Sequence, residues 1–106
     1  MEIKIQSLHF TPTQKLFDYV NEKVEKLSHF GDRVAGGDVC LKLDKSKKLN
    51  NKVCEIKLSV PGNDLFAKHQ CKTFEEAVNE TVDSLQGQLR KQKTKKINRR
   101  HTKVIA

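Results

Sequence analysis

The sequence predicts an α+β fold, a two-layer sandwich in the order β-α-β-β-β-α, with a four-stranded sheet and two helices on one face. Three observations carry this. Two segments repeat apolar residues with a helical period, four shorter ones alternate apolar and polar residues, and turn residues separate them. The 106 residues suffice for one such domain and argue against two.

The first strand is Glu2-Ile3-Lys4-Ile5-Gln6-Ser7, whose alternation turns Ile3 and Ile5 toward a core. Thr11-Pro12-Thr13-Gln14 opens the first helix. Thr11 can cap it, with Pro12 at the first helical position and Gln14 at capping-box spacing, and Thr13 is the alternative cap. Leu16, Phe17, Val20, Val24 and Leu27 then form one apolar face to about Ser28. Phe30-Gly31-Asp32 ends the helix, and Gly36-Gly37 marks a second break.

Three strands follow. Residues 38–44 place Val39, Leu41 and Leu43 on one face, and the polar, basic stretch 45–52 reads as a hairpin connection. Residues 53–60 turn Cys54, Ile56, Leu58 and Val60 one way and Glu55, Lys57 and Ser59 the other. Pro61-Gly62-Asn63-Asp64 is a turn. Residues 65–72 then set Leu65, Ala67, His69 and Cys71 against Lys68, Gln70 and Lys72, with Phe66 interrupting the pattern. The second helix opens with Thr73 and Glu76 in a capping box and carries Phe74, Ala77, Val78, Val82, Leu85 and Leu89 as its apolar stripe. Gly87 inside it costs about 1 kcal/mol relative to alanine, so packing must hold this helix. The last three strands form an antiparallel meander. The first strand reaches the sheet through a helix and so pairs parallel.

Charge placement points to a partner. The chain holds 21 Lys and Arg against 13 Asp and Glu, for a net charge of +8. Residues 1–89 balance to zero, so the whole excess lies in the last 17 positions: Arg90, Lys91, Lys93, Lys95, Lys96, Arg99, Arg100 and Lys103, with no acid. The pattern reads as a folded domain over 1–93 and a basic C-terminal tail over 94–106, for which a polyanion is the natural partner. Acids early and bases late in the second helix complement its dipole, but that does not account for eight bases without one acid. At ~100° per residue, Lys96, Arg99 and Arg100 take the positions core residues would occupy. The apolar stripe therefore ends at Leu89, and any helix beyond about Gln92 leaves the body. Repulsion among the bases favours an extended tail until phosphates neutralise it.

The first helix is sided too. Lys15, Tyr19, Lys23 and Lys26 lie along one flank of its apolar face, with Asp18, Glu22 and Glu25 around the other side. An ordinary Glu22–Lys26 pair explains this flank taken alone. Beside a parallel second helix that ends in bases, it becomes half of an electropositive face.

Other classes fit poorly. No apolar run approaches the ~18–20 residues of a membrane span, so no membrane partner is expected. Met1-Glu2-Ile3-Lys4 has no signal-peptide character, and Cys40, Cys54 and Cys71 form neither a disulfide framework nor a Cys-x-x-Cys pair. A reduced, cytoplasmic protein is the expectation. His9, His29, His69 and His101 share no metal-ligand spacing. Cys54, His69 and Cys71 fall on one sheet face but read as packed thiols beside a partly buried histidine, so neither a metal nor a cofactor is expected. Glycine-rich phosphate loops, nucleophile elbows and paired acids are missing, which argues against an enzyme and against a small-molecule substrate. Five Phe, one Tyr and no Trp, none interleaved with bases, argue against base-stacking recognition of single strands. Recognition through phosphates and shape remains, whether on a specific RNA or on duplex RNA in general. An adaptor that binds an acidic protein through the tail is the reading from another class.

Over roughly residues 3–96 the chain resembles the short ribosome hibernation-promoting factors, also called ribosome-associated inhibitor proteins. The resemblance rests on Lys23-Val24-Glu25-Lys26-Leu27, Phe30 with Asp32-Arg33-Val34, and Val39-x-Leu41-Lys42. It continues through Ala67, Ala77-Val78 and Leu85-x-x-Gln88-Leu89-x-Lys91-x-Lys93. It implies a fold like double-stranded-RNA-binding domains. It also implies binding to the small ribosomal subunit and its rRNA, in the channel that messenger and transfer RNA would occupy, with translation blocked sterically. The matching RNA-binding positions are Lys23, Lys26, Arg33, Arg90, Lys91, Lys93 and Lys96, and the acid-free tail adds Lys95, Arg99 and Arg100. Where the family often opens the second helix with Asp-x-Tyr, this chain has Thr73-Phe74-Glu75, which keeps the cap. No added C-terminal dimerisation domain, such as long members carry, is expected.

Overall fold

Alternation along the strands decides which sheet face is covered, and the computed structural model shows the layers that follow from it. Its elements are β1 (Glu2–Leu8), α1 (Gln14–Glu25), a 3₁₀ turn (Lys26–His29), β2 (Gly36–Leu43), β3 (Lys52–Ser59), β4 (Leu65–Cys71) and α2 (Phe74–Ile105). The structure describes residues 2–29, 34–44, 50–62 and 64–105, with side chains through residue 91. The helix stop at Phe30-Gly31-Asp32, Arg33 and most of the 45–52 connection lie outside the described residues. So do the side chains of Lys93, Lys95, Lys96, Arg99 and Arg100.

The sheet order is β1-β2-β3-β4, parallel between β1 and β2 and antiparallel thereafter. This is the expected α+β sandwich. Because β1 and β4 run the same way, the helices that follow them return in the same direction and lie side by side on one face. Between the layers are Leu16, Val20, Val24 and Leu27 from the first helical segment, and Val39, Leu41, Cys54, Ile56, Leu58 and Ala67 from the sheet. Cys71 at the end of β4 and Ala77, Val78, Val82, Leu85 and Leu89 of α2 complete the core. Leu89 is the last buried residue of α2 among those described, 4% exposed. The helix nevertheless continues to Ile105, where the sequence predicts an extended chain. Sixteen further residues at 1.5 Å rise carry it ~24 Å past that contact. Helical propensity of the Lys- and Arg-rich stretch, continuous with an already nucleated helix, opposes the charge repulsion.

Local chemistry settles the caps. Thr13, not Thr11, is the N-cap of α1: its Oγ1 accepts from the Leu16 amide at 3.1 Å, while Gln14 donates to Asp18 at 2.9 Å. Thr73 caps α2, its Oγ1 accepting from the Glu76 amide at 3.1 Å. Phe10 stacks on Phe74 with ring centroids 4.4 Å apart, joining the β1–α1 connection to the start of α2. Gln88 donates to the Phe66 carbonyl at 3.0 Å, satisfying part of the β4 edge from the helix layer.

Two positions depart from simple periodicity. Phe17 is 37% exposed, while Tyr19 packs against the core in its place, because α2 lies on the Tyr19–Lys23–Lys26 flank of α1. Val53 faces away from the helices yet is buried, being flanked across the sheet by its register partners Lys42 and Gln70, whose stems cover apolar surface.

The two informative glycines predict opposite effects. A Cβ at Gly36 would lie 2.8 Å from the Glu2 carbonyl oxygen, a backbone atom of the parallel neighbour, whereas one at Gly87 meets nothing within 4 Å. Gly36→Ala is expected to cost about 1–3 kcal/mol in urea unfolding. Gly87→Ala is expected to gain about 0.5–1 kcal/mol. Equal effects at the two sites would contradict this packing.

Candidate nucleic-acid interface

The parallel helices bring the two predicted basic features together. Positions 23, 26 and 27 on the α1 side and 79, 82, 83 and 86 on α2 share the i, i+3, i+4 spacing of one helix face. They face each other across an open groove of about 320 Å³, which His29 completes. Lys23 and Lys26 stand on one wall. Lys23 Nζ lies 5.6 Å from the centroid of the Tyr19 ring, a cation–π contact that steadies it over the groove's shoulder. Four residues past Gln86, Arg90 continues the same stripe of α2, and Arg90 and Lys91 are exposed. From there the helix carries the remaining basic positions outward.

Acids are less segregated than the sequence pattern suggests. Glu22 reaches Lys26 at 3.9 Å, both side chains being more than half exposed, so this contact holds little energy. Asp83 lies in the groove, beside Asn79 and Gln86. The sequence pattern assigns none of these three to a site, nor His29. Their signal is present as the polar border of the α2 stripe, but only the placement of α1 turns that border into a wall.

The opposite sheet face has a different electrostatic character. Lys42 and Lys68 both approach Glu55, at 3.1 and 3.5 Å, and Lys57 approaches Asp64 at 3.4 Å. Lys42, Lys57 and Lys68 on this face are thus matched by carboxylates.

Cys54, Cys71 and His69 are absorbed by packing. Burial pushes the Cys54 thiol up to about 12, and burial with a hydrogen bond to Glu80 pushes Cys71 up to about 11, so neither forms a thiolate near neutral pH. His69 contacts Ser84 Oγ at 2.7 Å and Glu80 at 3.4 Å, and Cys71 donates to Glu80 at 3.1 Å. Among the described residues no group of three His, Cys, Asp or Glu side chains is arranged to hold a metal ion, and no helix is long and apolar enough to cross a membrane.

With this geometry in place, comparison with known proteins is decisive for the family. The model of the sigma 54 modulation protein / S30EA ribosomal protein family matches residues 3–97. The chain belongs to this family. It is 33% identical over 95 residues to a ribosome hibernation promoting factor of Pseudomonas putida, covering 90% of this chain and 89% of that protein. It is 31% identical over 99 residues to that of Azotobacter vinelandii, covering 93% and 89%. The N-terminal domain of Thermus thermophilus Protein Y shares the fold, with a TM-score of 0.74 at 24% identity over 86% of this chain and 98% of that one. A ribosomal subunit interface protein of Coxiella burnetii does so with a TM-score of 0.78 at 18% identity, over 89% and 99%. The family match spans both groove walls and the α2 extension as far as Ile97. It leaves Arg99 and Arg100 outside.

If the helical face is the interface, Glu22 weakens it. Glu22→Gln removes one negative charge beside Lys26 and is expected to tighten RNA binding a few-fold at low salt, with unfolding free energy changed by less than about 0.5 kcal/mol. Filter binding at two salt concentrations, with thermal melts alongside, checks this. Unchanged or weaker binding would place the RNA elsewhere.

Proposed function

We propose that this protein is a ribosome hibernation factor that binds the small ribosomal subunit in the messenger and transfer-RNA channel and blocks translation sterically. The observation that carries this reading is the continuity of one basic face. Lys23 and Lys26 line the groove, Arg90 and Lys91 follow on the same layer, and α2 then runs on past its last core contact through a stretch without acids. Family membership and relatives named ribosome hibernation promoting factors support the ribosome as the partner.

In this reading residues 1–93 are the ribosome-binding domain and 94–106 the basic tail. Lys23, Lys26, Arg33, Arg90, Lys91, Lys93, Lys95, Lys96, Arg99 and Arg100 contact rRNA. Lysines act as point charges on phosphates, and arginines add planar, bidentate grips. No bond is made or broken. A rigid sandwich holds the helices in register, and occupancy excludes the messenger and transfer RNAs. Such a factor works in the cytoplasm, where ribosomes are, and needs no cofactor or small-molecule substrate.

A general duplex-RNA-binding module is the second reading, favoured by a groove whose lining offers charges and amides but no Phe, Tyr or Trp. Gradient sedimentation with cell ribosomes at two salt concentrations separates the two. The proposal predicts co-sedimentation with small subunits and intact ribosomes, and displacement by saturating initiator transfer RNA. Equal affinity for arbitrary duplex RNA at matched salt favours the module, and binding unaffected by transfer RNA removes the proposed site. Replacing Arg90, Lys91, Lys93, Lys95, Lys96, Arg99 and Arg100 by glutamine is expected to flatten the salt dependence by roughly one unit of slope for each phosphate that is no longer neutralised. An unchanged slope would transfer the binding to Lys15, Lys23 and Lys26.

A further inference from the structure

The groove between α1 and α2 is chemically two-sided. Its apolar lining is Leu27 and Val82, both buried. One wall carries the cations Lys23 and Lys26 beside His29, while the other carries Asn79, Asp83 and Gln86. A surface built only to collect phosphates would avoid Asp83, because an ionised carboxylate repels them. Asp83 accepts hydrogen bonds and donates none, so it calls for a ligand group with donors, and the two amides can both donate and accept.

We propose that this groove seats a single unstacked nucleotide of the RNA bound at this face, with guanine preferred; the inference rests on the RNA-binding reading above. The phosphates on either side of the nucleotide meet the α1 wall, the base lies over Val82, the part of the apolar floor that keeps some exposed surface, and its edge meets the α2 wall. Guanine presents its N1–H and its N2 amino group side by side, two donors for one carboxylate, whereas uracil offers one N–H between two carbonyl acceptors. In a duplex those donors are already paired, so the seat takes an unpaired nucleotide. The volume of about 320 Å³ is at the small end of ligand pockets and leaves room for one base.

The test titrates the full-length protein with three pentaribonucleotides, UUGUU, UUAUU and UUUUU, and follows the side-chain amide signals of Asn79 and Gln86 by NMR. UUGUU is expected to bind on the order of tenfold more tightly than UUUUU and to shift both amide signals. Asp83→Ala is expected to lose that preference while binding UUUUU as tightly as before or more so, since a repulsion is removed. A general loss of fold would instead weaken all three ligands. Equal affinity of the unaltered protein for the three pentamers, or a guanine preference that survives Asp83→Ala, overturns the seat. Ribosome co-sedimentation run in parallel tests the underlying reading separately. A protein that prefers UUGUU but ignores ribosomes keeps the seat and loses the ribosome.

Discussion

Everything at the proposed interface depends on the seam between α2 and the sheet, and on where that seam stops. Ala77, Val78, Val82 and Leu85 are buried against it, and Leu89 closes it. Up to that point the helix is held by burial of apolar surface, each large side chain contributing on the order of 1.5–3 kcal/mol. Past it, nothing in the sequence pattern asks the helix to stay on the body. The same helix is thus structural over its first half and a carrier of charge over its second. A single apolar residue moved beyond Leu89 would blur that division.

The seam also sets the groove. Because β1 and β4 point the same way, α1 and α2 are parallel, and the basic flank of one is brought against the polar border of the other. This explains why Tyr19 is packed and Phe17 is partly exposed, and why Lys23 is steadied by an aromatic ring rather than left to solvent. The opposite face shows the contrast. There Lys42 and Lys68 share Glu55. Net charge says that a polyanion is a suitable partner, and the contrast between paired lysines on the sheet face and the acid-free run at the end of α2 is what the proposed interface rests on.

Much of the fold is legible in the sequence because parity and helical period are imposed by burial on one side. Ile56 and Leu58 inward with Lys57 outward, the Thr73 cap and the end of the stripe at Leu89 are all local patterns. What is not legible depends on neighbours. Thr11 and Thr13 are both competent caps, and only the path of the β1–α1 connection chooses Thr13. Val53 is polar-side by parity but buried, because Lys42 and Gln70 flank it from other strands. At the candidate site, Lys23 and Lys26 stand out by charge, whereas Asn79, Asp83 and Gln86 are unremarkable until the first helix faces them. The helical state of the tail escapes a reading of charge alone, since repulsion is then weighed against nothing, whereas an already formed helix lowers the cost of continuing.

The most direct test of the central claim uses lysines already present on both faces. Lysine acetylation read by mass spectrometry, with and without small ribosomal subunits, reports which side chains the complex covers. Binding through the helical face predicts protection of Lys23, Lys26, Lys91, Lys93, Lys95 and Lys96, with Lys4, Lys57 and Lys68 as reactive as in the free protein. Protection of Lys4, Lys57 and Lys68 while Lys23 and Lys26 stay reactive would contradict it.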